Sequence, residues 1–551
     1  MNNYINNIKE LNKNKYNLRA MQKLTNYKKT ENGLYRIKLN KDNLISVVYN
    51  DKPLTSVYAP IEEAKRLINQ NIKDNLSRIG IFLSLASFYH IDYFLSLNED
   101  NKAIIIEKDI EIAKLIFENI ESKNLKRAII LLNEKIEDII SFFNFYITEE
   151  EIKKIIYIRH IRASNINEQN KKYYDNIHTL LINDTKEKLM SLTSNYYFAP
   201  IWARNIIYNL QLNKGYSLKT YKNILNKETP LLLISAGASI DNHIEKIKEL
   251  SKTHFVLALS HAFNTLIKNN IKSDAIVSTD GGFFSSMHII DSIKNDIPIF
   301  ITHTAYPFPF TNIDKKRIFY FSHNESFEKI IYSIENNRNN IYFPMEGSVI
   351  MPALRIANIL NPKYILLAGC DFCHLNDKSH SSYSNAVAFD FLRCDKLKTF
   401  ESLKYKRLND NQNIECYDNI LRKTSSSLIS YKTHFEALAN EIMNDIEIFN
   451  LTKESAKIKN IKIFDNTNFN NINDKKNIII NDYVEETINE KEFIEKLESF
   501  TKNIDEEFDE DFANMISPFH VSELKENKIS KEYFKEYVNK WYNEIKILLN
   551  I

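Results

Sequence analysis

The sequence predicts an α/β protein with a central, doubly wound parallel sheet, flanked by a smaller α/β domain and a helical C-terminal region. Short β-branched apolar runs alternate with helical patterns between residues 230 and 370, and a shorter alternation of the same kind precedes them. This alternation is typical of a parallel sheet with helices on both faces. After residue 451 the pattern becomes charged and helical. The predicted divisions are an N-terminal α/β domain at 1–170, a helical connector at 171–227, a central domain at 228–450 and a mostly helical region at 451–551.

Glycine is scarce, with 8 residues in 551, and five of the eight fall between Gly237 and Gly369. An average protein carries roughly 7% glycine, so the few that remain should mark places of special backbone freedom or close approach. The wider range from Pro230 to Cys416 holds 8 of the 13 histidines and all 4 cysteines. We therefore expect the chemistry to lie in the central domain.

Composition excludes several classes of function. With 73 Lys and Arg against 71 Asp and Glu, the chain has no nucleic-acid footprint and no polybasic membrane patch. It opens without a secretory signal pattern, and no run approaches the roughly 18 apolar residues of a membrane span. These features predict a cytoplasmic protein.

The cysteines predict ordinary reduced thiols. Four in so long a chain do not make a disulfide scaffold. Cys370 and Cys373 have C-x-x-C spacing beside His374, which raises the question of zinc, but no second pair accompanies them. No metal site is predicted.

The N-terminal domain is predicted to be Rossmann-like. Apolar runs at 79–85 and 103–106 are typical of buried parallel strands, and Glu107 follows the second run at a position where such folds often hold a ribose. The loop at 85–88 lacks the glycines that a phosphate-binding turn needs. We interpret this domain as one that keeps the fold without binding nucleotide.

Polar residues follow several predicted strands of the central domain. The strand at 231–235 leads through Gly237 and Ala238 to Ser239, which is predicted to cap a helix at 240–250. The free N–H groups and the dipole at such a helix start favour an anion, although a capped helix without a ligand is the plain alternative. Residues at the other strand ends are Ser260, His261, Asp280, Gly281, His303 and Asp371.

Glu346, Gly347 and Ser348 open a further predicted helix that runs to Leu360. Because the carboxyl ends of parallel strands share one edge of a sheet, we expect these residues and the strand-end residues to converge on one crevice. The central domain has no Asp-x-Asp, Walker or Gly-x-Ser-x-Gly motif. The sequence therefore favours a donor whose phosphate is held by N–H and hydroxyl groups.

The regions around the central domain are predicted to be helical. Tyr196, Trp202, Ile206 and Leu210 follow helical spacing within 170–227. Charged amphipathic helix is predicted from Tyr483 to Ile551, after an Asn-rich stretch at 466–477. A solvated bundle and a docking surface for a partner protein are both open interpretations of this tail.

The order of these motifs resembles the motility accessory factor (Maf) glycosyltransferases. Their central domain is shared with the 6-hydroxymethylpterin diphosphokinase MptE-like family and is similar to bacterial CMP-sialic-acid sialyltransferases. The resemblance covers most of residues 40–460. It is carried by Trp202-Ala203-Arg204-Asn205 with Asn209, Gly237-Ala238-Ser239-Ile240, Ile276 to Asp280, Gly347-Ser348-Val349, Leu367 to Asp371 and Lys378 to Ser381. Ala238 stands where these families have Pro, and Cys373 where sialyltransferases have a phosphate-binding Tyr.

The resemblance implies a glycosyltransferase that moves a nonulosonic acid, of pseudaminic or legionaminic type, from its CMP-activated form to Ser or Thr of flagellin. No cofactor beyond this CMP-sugar is implied. The implied donor-binding residues are Gly237, Ala238, Ser239, Ser260, His261, Asp280, Gly281, Glu346, Gly347, Ser348 and Asp371.

The general base is expected among three histidines, because a neutral imidazole suits proton abstraction near pH 7. In order of preference they are His380, His374 and His303. Two other functions remain open. One is a 6-hydroxymethylpterin diphosphokinase-like transferase, and the other is a non-catalytic flagellin-binding or assembly factor.

Overall fold

The computed structural model describes residues 2–28, 34–74, 76–148, 151–323, 339–407, 412–465, 474–475, 478–486, 488–505 and 508–549. The chain forms two compact units, Met1–Ser194 and Asn195–Ile551. It passes from the first unit to the second within one 45-residue helix, Glu168–Leu212. The predicted Asn-rich stretch lies mostly outside the described residues.

In its described part, the first unit contains a parallel sheet of four strands, ordered β6-β5-β4-β7, and an antiparallel sheet, ordered β1-β2-β3. Its strands are β1 (Tyr35–Leu39), β2 (Ile45–Tyr49), β3 (Lys52–Pro53), β4 (Ile79–Leu83), β5 (Lys102–Glu107), β6 (Ala128–Leu132) and β7 (Ile155–Arg159). Its helices are α1 (Asn2–Asn12), α2 (Leu18–Asn26), α3 (Pro60–Asn71), α4 (Tyr89–Leu97), α5 (Ile110–Asn119), α6 (Ile136–Tyr146), α7 (Ile161–Ser164) and the first part of α8 (Glu168–Leu212). The two predicted buried strands are confirmed as β4 and β5.

Glu107, at the end of β5, is fully buried and forms hydrogen bonds within the first unit. Its carboxylate accepts hydrogen bonds from the N–H of Leu85, at 2.8 Å, and from the hydroxyl of Tyr174, at 3.0 Å. Burial raises the pKa of this carboxyl. The loop that it holds has φ angles of 87°, 48° and 68° at Ser84, Ala86 and Phe88. These angles lie in the left-handed region that glycine adopts most easily, so the carboxylate stabilises a loop that lacks glycine.

The second unit is built on a large parallel sheet, which confirms the predicted fold class. Its main strand order is β14-β13-β12-β11-β10-β9-β15-β18-β19, with β8 paired to β13, and β16 and β17 form a separate hairpin. The strands are β8 (Tyr216–Ser217), β9 (Leu231–Ile234), β10 (Phe255–Leu259), β11 (Ala275–Ser278), β12 (Ile299–Thr302), β13 (Ile318–His323), β14 (Tyr342–Phe343), β15 (Ile365–Ala368), β16 (Gln412–Glu415), β17 (Leu421–Thr424), β18 (Ile448–Asn450) and β19 (Lys462–Ile463).

Helices cover both faces of this sheet and form the C-terminal region. They are α9 (Ile240–Leu250), α10 (Ser260–Lys268), α11 (Ser285–Ile293), α12 (Ile350–Ile359), α13 (Asn385–Leu392), α14 (Phe400–Arg407), α15 (Ser426–Ile442), α16 (Glu490–Asn503), α17 (Glu510–Ile516), α18 (Pro518–Lys525) and α19 (Lys531–Leu549). Among the described residues, none of the helices has the length and apolar character needed to cross a bilayer.

Two helix predictions need correction. Helix α8 ends at Leu212 instead of continuing to residue 227, because the chain turns at Gly215 and β8 then joins the sheet. A Cβ on Gly215 would lie 2.8 Å from the carbonyl oxygen of Ile318, so the turn needs glycine for close approach. The C-terminal helical region begins at Glu490 rather than Tyr483, because the preceding segment is extended and the Val484 carbonyl accepts the N–H of Ser217 at 2.8 Å.

Two asparagines of α8, together with Asn213 directly after its last residue, hold the loops that follow β11 and β12. The side-chain amide of Asn205 donates to the carbonyls of Gly281 and Thr304, each at 2.9 Å. Asn209 donates to the carbonyls of His303, at 2.7 Å, and Ala305, at 2.8 Å. Asn213 continues the series, with bonds to Asn209 at 2.8 Å and to the Pro307 carbonyl at 3.0 Å. Because residues four apart share one helix face, the three amides form a ladder against these loops.

The C-terminal helices pack on the same end of α8. Trp202, Ile206 and Leu210 share a buried cluster with residues of α16 to α19. The indole N–H of Trp541 donates to the Pro200 carbonyl at 3.2 Å. The C-terminal region therefore belongs to the core that supports α8.

Replacing Asn209 by Ala should lower the free energy of unfolding of the second unit by about 2–4 kcal/mol, because two buried carbonyls lose their donor. Both tryptophans, Trp202 and Trp541, lie in this unit. Their fluorescence during urea unfolding measures the change. Gln211→Ala, at a partly exposed position of the same helix, is the control. Equal stability of the Asn209 variant and the control would contradict a supporting role for the ladder.

Candidate functional site

The point where the sheet reverses its order lies between β9 and β15. From β9 the chain continues to β10 on one side, whereas β15 pairs with β9 on the other. In doubly wound sheets such a switch point opens a crevice at the carboxyl ends of the strands, where ligands bind. Here the Gly237 N–H donates to the Gly369 carbonyl at 3.0 Å, so the two post-strand segments lie side by side.

The two glycines at the switch point are required for different reasons. A Cβ on Gly237 would lie 2.5 Å from the carboxyl carbon of Asp371, so this position allows a close approach. Gly369 has a φ of +70°, which favours glycine over any residue with a side chain. Both features bring the segment after β15 against the start of α9.

Asp371 and Ser239 are bonded to each other inside this junction. The Ser239 N–H donates to Asp371 Oδ2 at 2.8 Å, and the Ser239 hydroxyl donates to Oδ1. Ser239 is 0% exposed and Asp371 5%. The predicted capping role of Ser239 is wrong, because its side chain makes no bond to the first turn of α9 and binds this carboxylate instead. Burial raises the pKa of Asp371 to about 6, against the opposing effect of the two Ser239 bonds.

A loop that carries His380 is tied to the start of α9. Asp241 accepts the Ser382 N–H at 3.0 Å and the Ser382 hydroxyl at 2.6 Å. The Ser381 N–H donates to the carbonyl of Ala236 at 2.9 Å. Lys378 lies 3.6 Å from Asp241. These contacts place the loop over the switch point.

Two histidines, His261 and His288, lie beside this loop, and the Ser384 hydroxyl donates to the His261 carbonyl at 3.2 Å. The rings of His261 and His288 have centroids 3.8 Å apart and an interplanar angle of 32°. Burial, with a smaller effect of His380, lowers the pKa of His261 to about 4. Burial also lowers the pKa of His288 to about 3, followed by the effect of His261. Both rings are therefore neutral at pH 7. Sequence reasoning missed His288, because it lies within α11 and not at a strand end.

His380 and His374 line a cavity of about 220 Å³. His380 Nδ1 lies 2.9 Å from the hydroxyl oxygen of Ser379. The His374 side chain is 8% exposed, and its backbone N–H donates to Lys423 O at 2.8 Å. The other residues that line the cavity include Lys378, Ser382, Asp390, Phe391, Phe400 and Lys404. The cavity combines basic groups, hydroxyls and two aromatic rings.

The remaining strand ends present a carboxylate and a tight turn. Asp280 is exposed, and its Oδ1 accepts the Gly282 N–H at 2.8 Å. A Cβ on Gly281 would lie 2.8 Å from Trp202, so this turn packs directly on α8. Ser260 begins α10 and is buried, with its hydroxyl oxygen 3.4 Å from Nδ1 of the neighbouring His261.

Glu346 lies in the segment that connects β14 to α12, together with Gly347 and Ser348. Its carboxylate accepts a bidentate pair of hydrogen bonds from Arg355, at 2.7 and 3.2 Å. Gly347 is exposed and Ser348 is partly exposed. Helix α12 itself begins at Ile350. This carboxylate therefore already has a cationic partner on α12.

Arg204 was not singled out from the sequence, although it lies within the Trp-x-x-Asn motif. Its Nε is buried and has no hydrogen-bond partner among the described residues. Burial raises the pKa of Tyr306, and the positive charge of Arg204 opposes this shift. Arg204 also directly precedes Asn205, whose side-chain amide bonds to the carbonyls of Gly281 and Thr304. The Tyr306 N–H donates to the Asp280 carbonyl at 3.1 Å. A cation thus stands beside the loops that follow β11 and β12.

His303 occupies the interior of the second unit. It is 0% exposed, its ring stacks on Tyr320 at 4.3 Å, and its Nε2 lies 2.6 Å from Glu486 Oε1. Its Nδ1 lies 3.0 Å from the Ser322 hydroxyl oxygen. Both ring nitrogens therefore face protein groups.

The cysteines are free thiols. Cys373 and Cys416 form a close pair, with their sulfur atoms 3.8 Å apart. A hydrogen bond from Cys373, aided by Arg422, lowers the pKa of Cys416 to about 7. In the described part of the chain, no three His, Cys, Asp or Glu residues are grouped so that they could hold a metal ion.

Comparison with known proteins gives a family match and a structural match. Residues 204–377 match the family described as 6-hydroxymethylpterin diphosphokinase MptE-like. The fold is similar to the structure of MAf glycosyltransferase from Magnetospirillum magneticum AMB-1, with a TM-score of 0.61 and 10% sequence identity. That similarity covers 100% of this chain and 95% of the other. The comparison with curated proteins found no match.

The fold and the family match together describe an α/β protein with an MptE-like domain. The strand ends of this domain form the switch-point crevice. The match of residues 204–377 to the MptE-like family and the similarity of the whole fold to a Maf glycosyltransferase both agree with the sequence resemblance.

The second unit should lose stability as the pH falls from 7.5 to 5. An unfolded histidine has a pKa near 6.5, above the values of about 3 and about 4 for His288 and His261, so the unfolded chain binds protons that the folded chain does not. His288→Phe should reduce this loss by about 2 kcal/mol, because one such group is removed. Urea unfolding followed by tryptophan fluorescence at both pH values measures the difference.

Asp371 has the opposite effect on stability, because its folded pKa of about 6 lies above the unfolded value and the folded chain takes up this proton first as the pH falls. The wild type and His288→Phe both contain Asp371, so its effect cancels when the two are compared. His434→Phe is the control, because an exposed ring is hydrated in both states. A pH dependence unchanged by His288→Phe would contradict a buried, neutral His288.

Proposed function

We propose that this protein is a glycosyltransferase that moves a nonulosonic acid, of pseudaminic or legionaminic type, from a CMP-activated donor to a Ser or Thr hydroxyl of flagellin. The observation that carries the proposal is the switch-point crevice, where the carboxyl ends of β15, β9, β10 and β11 are adjacent beneath the loop of His380. The similarity of the fold to a Maf glycosyltransferase supports the same class of activity.

The reaction breaks the bond between the anomeric carbon of the sugar and the phosphate oxygen of CMP. The electron pair of that bond leaves with CMP, and the acceptor oxygen forms the new bond to the anomeric carbon. The acceptor proton must pass to a base. The site therefore needs a base on the acceptor side and positive charge or N–H groups on the phosphate side.

His380 is the proposed base, with His374 as the second choice. When Nδ1–H of His380 donates to the Ser379 hydroxyl oxygen, Nε2 is the atom that accepts the proton. Both histidines line the cavity, where an acceptor hydroxyl has space to enter. His303 is left out of the proposal, because its ring has no exposed surface and both nitrogens face protein groups.

The donor phosphate is proposed to lie against Arg204 and the Gly347-Ser348 turn before α12. Arg204 carries a positive charge, and its buried Nε has no hydrogen-bond partner in the part of the chain that the structure describes. A guanidinium binds phosphate or carboxylate oxygens through paired N–H donors. The Ser239 N–H and hydroxyl are engaged by Asp371, so we assign this pair to positioning α9 against β15. Gly237 and Ala238 line the same junction.

Donor hydroxyls are proposed to be oriented by the carboxylates of Asp280 and Glu346. Asp280 is exposed at the end of β11 and keeps one oxygen for its own turn, which leaves Oδ2 for a ribose or sugar hydroxyl. Glu346 is held in place by Arg355 and accepts through its remaining lone pairs. Ser260, His261 and Gly281 shape the crevice between them.

A second candidate is a 6-hydroxymethylpterin diphosphokinase-like transferase, which the description of the matching family favours. It would bind ATP in the crevice rather than CMP. A non-catalytic flagellin-binding factor would bind neither nucleotide.

Calorimetric titration with CMP and with ATP, together with mass spectrometry of flagellin from a deletion strain, distinguishes these functions. CMP binding and loss of flagellin glycans are expected. ATP binding without CMP binding would favour the diphosphokinase, and binding of neither with intact glycans would favour the binding factor. Arg204→Gln should weaken CMP binding about tenfold or more, because one charged hydrogen bond is removed. Arg66→Gln in the first unit is its control.

His380→Gln should reduce the rate of transfer about 10²–10⁴-fold, which is the usual contribution of a general base. CMP affinity should stay unchanged, because His380 is proposed to contact the acceptor and not the donor phosphate. Single-turnover transfer to flagellin measures the rate, and calorimetry measures the affinity. His434→Gln, at an exposed position, is the matched control. Wild-type transfer by His380→Gln would exclude this base, and loss of transfer in His374→Gln alone would reassign it.

A further inference from the structure

Exposed apolar side chains are concentrated on helices α13 and α14 and on the segment that joins them. Leu397 is 92% exposed, Leu392 74% and Phe391 59%. Tyr405 on α14 is also exposed. We call these four residues the hairpin surface. Single exposed apolar residues are ordinary, but a group of large ones on one short segment marks an interaction site.

Aromatic contacts hold the hairpin surface in a defined arrangement. Phe391 stacks on Phe400 with ring centroids 4.2 Å apart and an interplanar angle of 7°. The Lys404 ammonium lies 4.4 Å from the centroid of Phe400. Since Phe391, Phe400 and Lys404 also line the cavity of His380, the hairpin surface continues into the candidate active site.

The charge of this segment is strongly positive. Residues 391–406 contain five Lys and Arg against two Asp and Glu, a net charge of +3, whereas the whole chain of 551 residues has a net charge of +2. Apolar side chains interleaved with positive charge complement a polypeptide with apolar and acidic side chains. An acidic partner would also be steered toward the cavity by these charges.

Helices α13 and α14 lie outside the segment that the chain shares with the MptE-like family. The family match ends at residue 377, before the loop of His380, and α13 begins at Asn385. The shared segment contains the strand ends from β9 to β15, whereas α13 and α14 follow it in the chain. A surface outside the shared segment is suited to selecting the partner.

We propose that the hairpin surface docks an acidic, apolar segment of the polypeptide acceptor and directs its hydroxyl residue into the cavity toward His380. This inference rests on the proposed function for the identity of the partner as an acceptor. Docking itself requires no catalysis and is measured by binding alone. The other occupant that the apolar character allows is a second copy of this chain.

Fluorescence anisotropy with two synthetic peptides tests the docking. One labelled 16-residue peptide alternates Leu and Glu around a central Ser, and the other has Lys in place of each Glu. The full-length protein should bind the Glu peptide at least tenfold more tightly than the Lys peptide, and the difference should shrink between 50 and 300 mM NaCl because salt screens the charges. Leu392→Asp/Leu397→Asp should weaken Glu-peptide binding at least tenfold, since it removes apolar contact and adds repulsion. Ile547→Asp, at a position 74% exposed on α19, is the control and should bind as the wild type.

Equal binding of both peptides, no binding of either, or normal binding by the double variant would overturn the proposal. Sedimentation velocity of the wild type and the double variant tests the other occupant. A dimer present in the wild type and absent in the double variant would replace the acceptor with a second copy. Flagellin transfer distinguishes the two proposals, because tight, charge-selective peptide binding without transfer contradicts the proposed function and leaves the docking intact. Transfer without selective binding contradicts the docking alone.

Discussion

The arrangement of the site depends on the hydrogen bonds between Asp371 and Ser239. They join the residues that follow β15 to the residue directly before α9, across 132 positions of the chain. A buried carboxylate in this place must be hydrogen-bonded, and the Ser239 N–H and hydroxyl meet that need. The neighbouring glycines follow from the same constraint, because Gly237 leaves room for the carboxyl group and Gly369 makes the turn that delivers it. Two of the few glycines in the chain are thus explained by one contact.

The other side of the crevice is positioned by α8. Its ladder of asparagine amides bonds to backbone carbonyls after β11 and β12, and Trp202 supports the Gly281 turn directly. Amides that bond to carbonyls fix the path of a loop without depending on the side chains of that loop. The loops can therefore vary in side chain while their backbone stays in place. The C-terminal helices pack on this same end of α8, so a region that reads from sequence as a separate tail contributes to the rigidity of the site.

The strand ends could be predicted from sequence, because buried parallel strands are short apolar runs and their carboxyl ends share one edge. The role of Ser239 could not, since a serine before a helix is predicted to cap it by local rules and its true partner is remote in sequence. His288 and Arg204 were missed for a related reason: both lie within helices, where a polar residue has no local signal that it faces a crevice. The connector was predicted to be too long a helix, because helical periodicity does not show that Gly215 must approach Ile318. The fold follows from patterns of a few residues, whereas the contacts of the site join distant segments.

The histidines and Arg204 divide the charge of the crevice in a way that suits two opposite tasks. His261 and His288 are buried and neutral at pH 7, so they place no positive charge beside His380 and do not oppose the uptake of a proton there. A departing phosphate needs the reverse, a cation that stays charged throughout the reaction, and a guanidinium meets that requirement at any physiological pH. Arg204 lies on α8 next to Asn205, whose side chain bonds to the loops that follow β11 and β12, whereas His380 lies on the loop tied to α9. In the proposed reaction, separate elements thus supply the group that takes up a proton, His380, and the group that keeps its charge, Arg204. One crevice then serves both the acceptor and the donor without either group impairing the other.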